Sequence, residues 1–270
     1  VPIPNSLQTA ATGIDNTGNI VGFYVDGDGS HGFLLSEGNF SYINVAGSIS
    51  TQAFGISASG KAIVGTYFNV CCSSHAFIFS GGTFSTIDPP GATFGSRAFG
   101  INSQGVISGD YIDAFRRYGF IFRKGVFTTL NFPGSSQTYA FGINNAGNVV
   151  GAYEAEAGLR GYLFKNGTFS TIDLPGTTAT VPFGINSAGH IVGVADFADG
   201  RHSFLLVNGV VTLIDFPGVT LTEALGINSK GQIVGEYQDA AGKFHGFLAT
   251  PTHEGNRHDD DAMKSPFLRP

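Results

Sequence analysis

Six residues stand where a repeated pattern leaves its positions free, and their types suit polar chemistry. Three residues before each of six Gly-Ile pairs the sequence reads Ala10, Gln52, Arg97, Tyr139, Val181 and Glu223. A second free position reads Phe23, Thr66, Asp110, Ala152, Val194 and Glu236. Where small or apolar residues suffice in some copies, the fold alone does not demand Arg97 or Glu223. Gln52, Arg97, Asp110, Tyr139, Glu223 and Glu236 are therefore the candidate ligand-binding set. One guanidinium with several carboxylates and an amide suits a sugar or a small anion. The same groups offer acid–base chemistry: Glu223, Glu236 and Asp110 as carboxyl acids or bases, Tyr139 as an acid or base, Arg97 to neutralise a uronate. The catalytic residues stay unknown, because no spacing marks a carboxyl dyad.

Other chemistry-bearing residues read as structural. His31, His75, His202 and His245 recur at one position beside a small residue and an aromatic. They are expected to pack between units and hydrogen-bond a neighbouring loop. They stand too far apart to share one zinc ion with its short bonds. Asp88, Asn131, Asp173 and Asp215 stand ahead of a Pro-Gly break, and Asn44 holds the same place ahead of Val45-Ala46-Gly47; all five are expected to cap that turn. Asp26-Gly27-Asp28-Gly29 lacks the further ligands of a calcium loop and reads as a hairpin. Cys71 and Cys72 are the only cysteines and are adjacent. A vicinal disulfide, a reduced pair and an intermolecular bridge all remain open. No nucleophile elbow, phosphate loop, His-Glu-x-x-His or paired CxxC stands in the chain, and no metal or cofactor is expected.

The elements that hold these residues follow from the period. Gly13-Ile14, Gly55-Ile56, Gly100-Ile101, Gly142-Ile143, Gly184-Ile185 and Gly226-Ile227 lie 42, 45, 42, 42 and 42 residues apart. A fixed period of this size marks stacked copies of one supersecondary unit. In the fourth copy the strand pattern covers Thr138 to Ile143, Val149 to Tyr153, Arg160 to Phe164 and Thr168 to Asp173, with Gly-containing turns between. Four short antiparallel strands per unit without helical periodicity are the signature of a propeller blade. The expected fold is all-β, a six-bladed β-propeller over residues 1–250. The spacing from Pro4 to Gly13 equals that from Pro217 to Gly226. The N-terminal segment therefore supplies the end that the sixth unit lacks, and the ring closes through both termini. The first strand is innermost in a propeller. That puts the candidate set at the mouth of a central funnel, with Arg97 and Glu223 on opposite blades, face to face.

Composition sets the partners. Fourteen Lys and Arg against twenty Asp and Glu give a net charge of −6, and charged residues make up only 13%. Without a basic stripe, nucleic acid is not an expected partner. No apolar run is long enough for a membrane span. Low charge, 40 glycines and a first residue other than methionine point to a processed chain in a secreted or cell-envelope location. Residues 251–270 leave the repeat and form a polar tail. It is expected to be solvated or to meet a protein partner through Phe267-Leu268.

The recurring string is Gly-Ile-Asn, then Ile-Val-Gly-x-Tyr, then His-Gly/Ala-Phe, then Ile-Asp-x-Pro-Gly. His75-Ala76-Phe77 carries the tripeptide literally. His31-Gly32-Phe33, His202-Ser203-Phe204 and His245-Gly246-Phe247 vary it, and Tyr118-Gly119-Phe120 and Arg160-Gly161-Tyr162 depart from it. The pattern resembles a bacterial extracellular repeat family named for its His-Ala-Phe tripeptide. That resemblance implies an extracellular or envelope location and no reaction. The expected function is a binding or interaction scaffold for a carbohydrate or small anionic ligand. A polysaccharide lyase or hydrolase and a structural subunit of an extracellular assembly are the alternatives.

Overall fold

The computed structural model describes residues 3, 6–70, 73–219 and 221–251. Cys71, Cys72 and the tail after residue 251 lie outside the described residues. The described residues are all-β, with 23 strands in four-strand antiparallel units along the sequence. The fourth unit is Thr138–Ile143, Val149–Ala155, Gly158–Lys165 and Thr168–Ile172. The sixth ends at its third strand, Phe244–Ala249. Ile3 is buried with Val234 of the last unit and Ala11, Ile14, Ile20 and Phe33 of the first.

Each unit is packed on the next by the residues that alternate off its strands. Val21 and Ile43 of the first unit, for example, share a cluster with Ala53, Ile56, Ile63 and Phe77 of the second. Phe33, Phe77, Phe120, Tyr162 and Phe204 are fully buried at one repeated position. In the fourth unit the extra hydroxyl is accommodated because Tyr162 donates to the Tyr139 carbonyl at 2.8 Å.

The Gly-Ile glycines are required by close approach. A Cβ on Gly55 would sit 2.4 Å from the Phe99 carbonyl oxygen and 3.2 Å from Gly100 Cα. Gly142 approaches Gly184, Gly184 approaches Gly226, and a Cβ on Gly226 would sit 3.3 Å from Gly13 Cα. The asparagines that follow make a second belt. The side-chain amides of Asn102, Asn144 and Asn186 donate to the backbone carbonyls of Asn144, Asn186 and Asn228, each at 3.1 Å. Asn228 then donates to Asp15 at 2.9 Å, joining the last unit to the first. Gln8 of the first strand also pairs with Phe244 of the last, in parallel.

The first strand departs from strict alternation in every unit. In the first unit Ala11 pairs with Gly22 and Gly13 with Val21, which leaves Thr12 without an opposite number. The same β-bulge bypasses Phe54, Phe99, Phe183 and Leu225, and in the fourth unit Phe141 with Gly142. A bulge re-aims the extra residue. That local irregularity builds the lining described below.

Candidate functional site

The bulged residues meet one another. Phe54 and Phe99 have ring centroids 4.9 Å apart, Phe99 and Phe141 5.1 Å, and Phe141 and Phe183 5.0 Å. Phe23 continues the series, edge-on to Phe54 at 6.3 Å. These five rings, with Thr12 and Leu225, wall a cavity of about 200 Å³ whose remaining lining residues are Glu223 and Glu236. On the other side of the crown the Gly-Ile pairs of all six units line a second depression of about 110 Å³. The site is thus an aromatic cup on the shared axis of the units, with two carboxylic acids in its wall and, among the described residues, no cationic side chain.

The two acids are held differently. Glu223 and Glu236 lie directly opposite on adjacent strands. Glu223 accepts a hydrogen bond from Arg201 Nη1 at 3.0 Å. Arg201 also donates twice to Asp196, at 2.7 and 3.1 Å, and those bonds hold the Asp196 carboxyl below its usual range. Glu236 is buried, only 8% exposed. Among the described residues it takes one hydrogen bond, from Gln8 Nε2 at 3.1 Å across the junction of the last and first units. Burial pushes its carboxyl up to about 7; the Gln8 bond opposes this and the adjacent Glu223 adds to it.

This has a consequence for stability. The folded chain keeps the Glu236 proton above the unfolded value of 4.5. The native state therefore binds more protons than the unfolded state between pH 4.5 and about 7, and stability falls with rising pH across that window. Glu236→Gln is expected to be neutral at pH 4 and stabilising by up to about 3 kcal/mol at pH 8. Urea unfolding at the two pH values measures it, and equal effects at both would contradict the burial of an ionisable group here.

The structure pairs the free positions noted in the sequence. Each residue three before a Gly-Ile lies opposite the second free position of its own unit: Gln52 with Thr66, Arg97 with Asp110, Tyr139 with Ala152, Val181 with Val194. Arg97 and Glu223 do not form the pair expected across a funnel; each has its partners close by. Arg97 Nε and Nη2 donate to the two oxygens of Asp110 at 3.0 and 2.8 Å, and Arg117 Nη1 adds a third bond at 2.9 Å. Asp110 is fully buried, and its two cations offset the cost of desolvating it. These three residues line a separate cleft of about 170 Å³ with Ser74 and Ser96. The Arg97 guanidinium also lies 5.0 Å from the Phe99 ring centre. Gln52 and Tyr139 line neither cavity.

Several of these residues are matched to the preceding unit. Ser30 accepts from Gln52 Nε2 at 3.4 Å, Arg117 stands 5.2 Å over the Tyr139 ring, Leu159 packs with Val181, and Arg201 pairs with Glu223. Polar meets polar, cation meets ring, apolar meets apolar, and cation meets anion. Variation at the free position therefore tracks its neighbour as well as any ligand. Of the six candidates the structure brings only Glu223 and Glu236 to the axial cup. It adds Phe23, which stands at the second free position, and Phe54, Phe99, Phe141 and Phe183. The signal of these last four is their place directly before a Gly-Ile pair.

The histidines bond neighbouring acids. His75 Nδ1 lies 2.7 Å from Asp88 and His202 Nδ1 2.6 Å from Asp215. The Asp215 bond raises His202 above the usual imidazole range. His31, His75 and His245 stack on Tyr24, Tyr67 and Tyr237. Asp88 and Asp215 were expected to cap the turn that follows them, but each instead accepts a backbone N–H of the third strand, from Ala76 and Ser203, beside its histidine; the turn N–H of Phe216 donates to Thr222. Among the described residues no group of three or more His, Cys, Asp or Glu is placed to hold a metal ion. Nor is any helix among them long and apolar enough to cross a membrane.

Solved structures with this arrangement are known at low identity. A putative TolB from Agrobacterium tumefaciens superposes with a TM-score of 0.64 at 12% identity, covering 88% of this chain and 89% of that one. The lectin of Aleuria aurantia, solved with α-methyl-L-fucoside, gives 0.55 at 13% identity over 91% and 92%. Virginiamycin B lyase from Staphylococcus aureus gives 0.54 at 9% identity over 92% and 86%. A second structure of the Aleuria lectin is described as a six-bladed β-propeller. These likenesses establish a β-propeller fold for this chain. No family model matches the sequence, and no curated protein does.

Proposed function

We propose that residues 1–250 form a six-bladed propeller closed through both termini, and that it is a binding scaffold whose ligand, a carbohydrate, enters the axial cup. The observation that carries this reading is the crown of five phenylalanines around two carboxylic acids. Aromatic faces take the apolar faces of a sugar ring, and buried acids accept its hydroxyls. The glycine contacts and the Asn228–Asp15 bond that bring the last unit onto the first support the ring. The resemblance to the His-Ala-Phe repeat family supports a secreted or envelope location.

A volume of about 200 Å³ lies below the roughly 300–1,000 Å³ of pockets for drug-sized ligands. The cup therefore fits one sugar ring or a chain end, and a long glycan would extend outward. A glycan array followed by calorimetry on the best hit tests the assignment. Phe99→Ala is expected to weaken binding at least tenfold by removing a stacking face, about 1.4 kcal/mol or more. Binding that survives Phe99→Ala and Phe141→Ala would place the ligand elsewhere.

A lyase or hydrolase is the second reading. It rests on Glu236, a carboxyl with a pKa near 7 beside Glu223, which Arg201 holds; two acids in unlike environments can divide acid and base roles. Release of reducing ends or unsaturated uronates from the bound glycan, lost in Glu236→Gln, would decide for it.

A further inference from the structure

The lining of the axial cup is selective in charge as well as in shape. Among the described residues nine wall it, and of these only Glu223 and Glu236 are ionisable. The nearest guanidiniums are already used, Arg201 on Asp196 and Glu223, Arg97 on Asp110. A uronate or other anion entering the cup would meet two acids and the negative faces of five phenyl rings. A cation would meet favourable groups on every side, because ring faces attract positive charge.

The acids then narrow the choice. The hydrogen-bond capacity of Glu223 is partly taken by Arg201, whereas Glu236 has only Gln8 on Oε2 among the described residues. A buried carboxylate with spare lone pairs is costly until a donor reaches it. The group that serves both acid and rings is therefore a positive charge that also carries N–H bonds. A quaternary ammonium has the charge without the donor, and a neutral hydroxyl has the donor without the charge.

Resting on the proposed axial site, we propose that its preferred ligand is an amino sugar with a free protonated amine, the ammonium donating to Glu236 and the ring lying on the phenylalanine faces. The groups facing Glu236 are Glu223 on the preceding strand, the backbone of Gly246 on the following strand, and Gln8 from the first unit. None supplies a competing cation. Binding an ammonium favours the ionised acid, so affinity should rise as pH climbs through about 7 and fall again where the amine loses its own proton.

Calorimetry with D-glucosamine, N-acetyl-D-glucosamine, D-glucose, D-glucuronate and tetramethylammonium at pH 7.5 tests this. Glucosamine is expected to bind at least tenfold tighter than each of the others. Glu236→Gln, which keeps the shape and removes the charge, should bring the ratio of glucosamine to glucose down to about one. Titration near pH 6.5 in two buffers of different ionisation enthalpy should show a proton released with glucosamine and none with glucose. Equal affinity for glucosamine and glucose, a preference for glucuronate or tetramethylammonium, or a glucosamine preference retained in Glu236→Gln would overturn the assignment. The two readings fail separately. Sugars that bind and weaken in Phe99→Ala without regard to the amine refute only the amino-sugar preference. Failure of every probe to bind refutes it together with the axial site.

Discussion

Asp110→Ala is expected to destabilise the chain by about 3–5 kcal/mol, because it leaves two guanidiniums packed together without their shared anion. Asp110 is wholly buried and accepts three hydrogen bonds from Arg97 and Arg117. Arg97→Ala should cost less, since Arg117 still holds the carboxylate. That revises what the sequence suggests, for Arg97 looks dispensable when read only against Ala10 and Val181. The repeat supplies its own control. At the places of Arg97 and Asp110 the fifth unit carries Val181 and Val194, which pack together and against Leu159 of the unit before. Rewriting the third unit with Arg97→Val, Asp110→Val and Arg117→Leu should recover most of the loss, to within about 1 kcal/mol of the parent. A buried ion cluster replaced by a well-packed apolar one is often neutral or better. Denaturant unfolding of the single and triple variants decides. A harmless Asp110→Ala, or a triple variant no better than the single one, would refute the account.

The second large effect belongs to Gly55→Ala. Its methyl group would lie 2.4 Å from the Phe99 carbonyl oxygen, with Val64 and Gly100 at 3.0 and 3.2 Å. Backbone cannot step aside as a flexible side chain can. The expected loss is at least about 3 kcal/mol, or failure to accumulate folded protein. Gly47→Ala makes the contrast. Gly47 has a φ of 77° but nothing within 4 Å of the added methyl, so only the backbone preference is lost, about 1 kcal/mol. Equal melting temperatures for the two variants would show that close approach between units is not what fixes Gly55.

The strands and their turns were legible in the sequence because they are local. Thr138–Ile143 and Thr168–Ile172 fall where alternation and the Asn-Gly turns put them, and the repeat multiplies the signal sixfold. The bulge at Phe54 or Phe99 was not legible. It shifts pairing by one residue without changing composition, and its meaning appears only when the rings of different units come together. Arg97 with Asp110 could have been paired by laying one unit's hairpin in register. Arg201 with Glu223, or Gln8 with Glu236, could not, since each partner lies on another unit. Of the candidate set, Glu223 and Glu236 line the cup, and the aromatic wall that surrounds them was not in it, apart from the free position at Phe23.

The matched contacts at the junctions bear on how the chain reaches its native state. Six copies that share strand lengths, turns and core residues are near-equivalent docking partners during folding, and units of this kind are prone to pairing out of order. A backbone built on one template offers little to tell the fourth copy from the sixth. Ser30 with Gln52, Arg117 with Tyr139, Leu159 with Val181 and Arg201 with Glu223 do tell them apart. Each is an address written in one side-chain class and read by the next copy. Docking the third copy against the fifth would set Arg117 on Val181 and leave Tyr139 without its cation. Docking the fifth against itself in another molecule would bury Arg201 against Val181. Such mismatches penalise shuffled and domain-swapped assemblies far more than they stabilise the correct one, so the order of the copies is encoded in their differences.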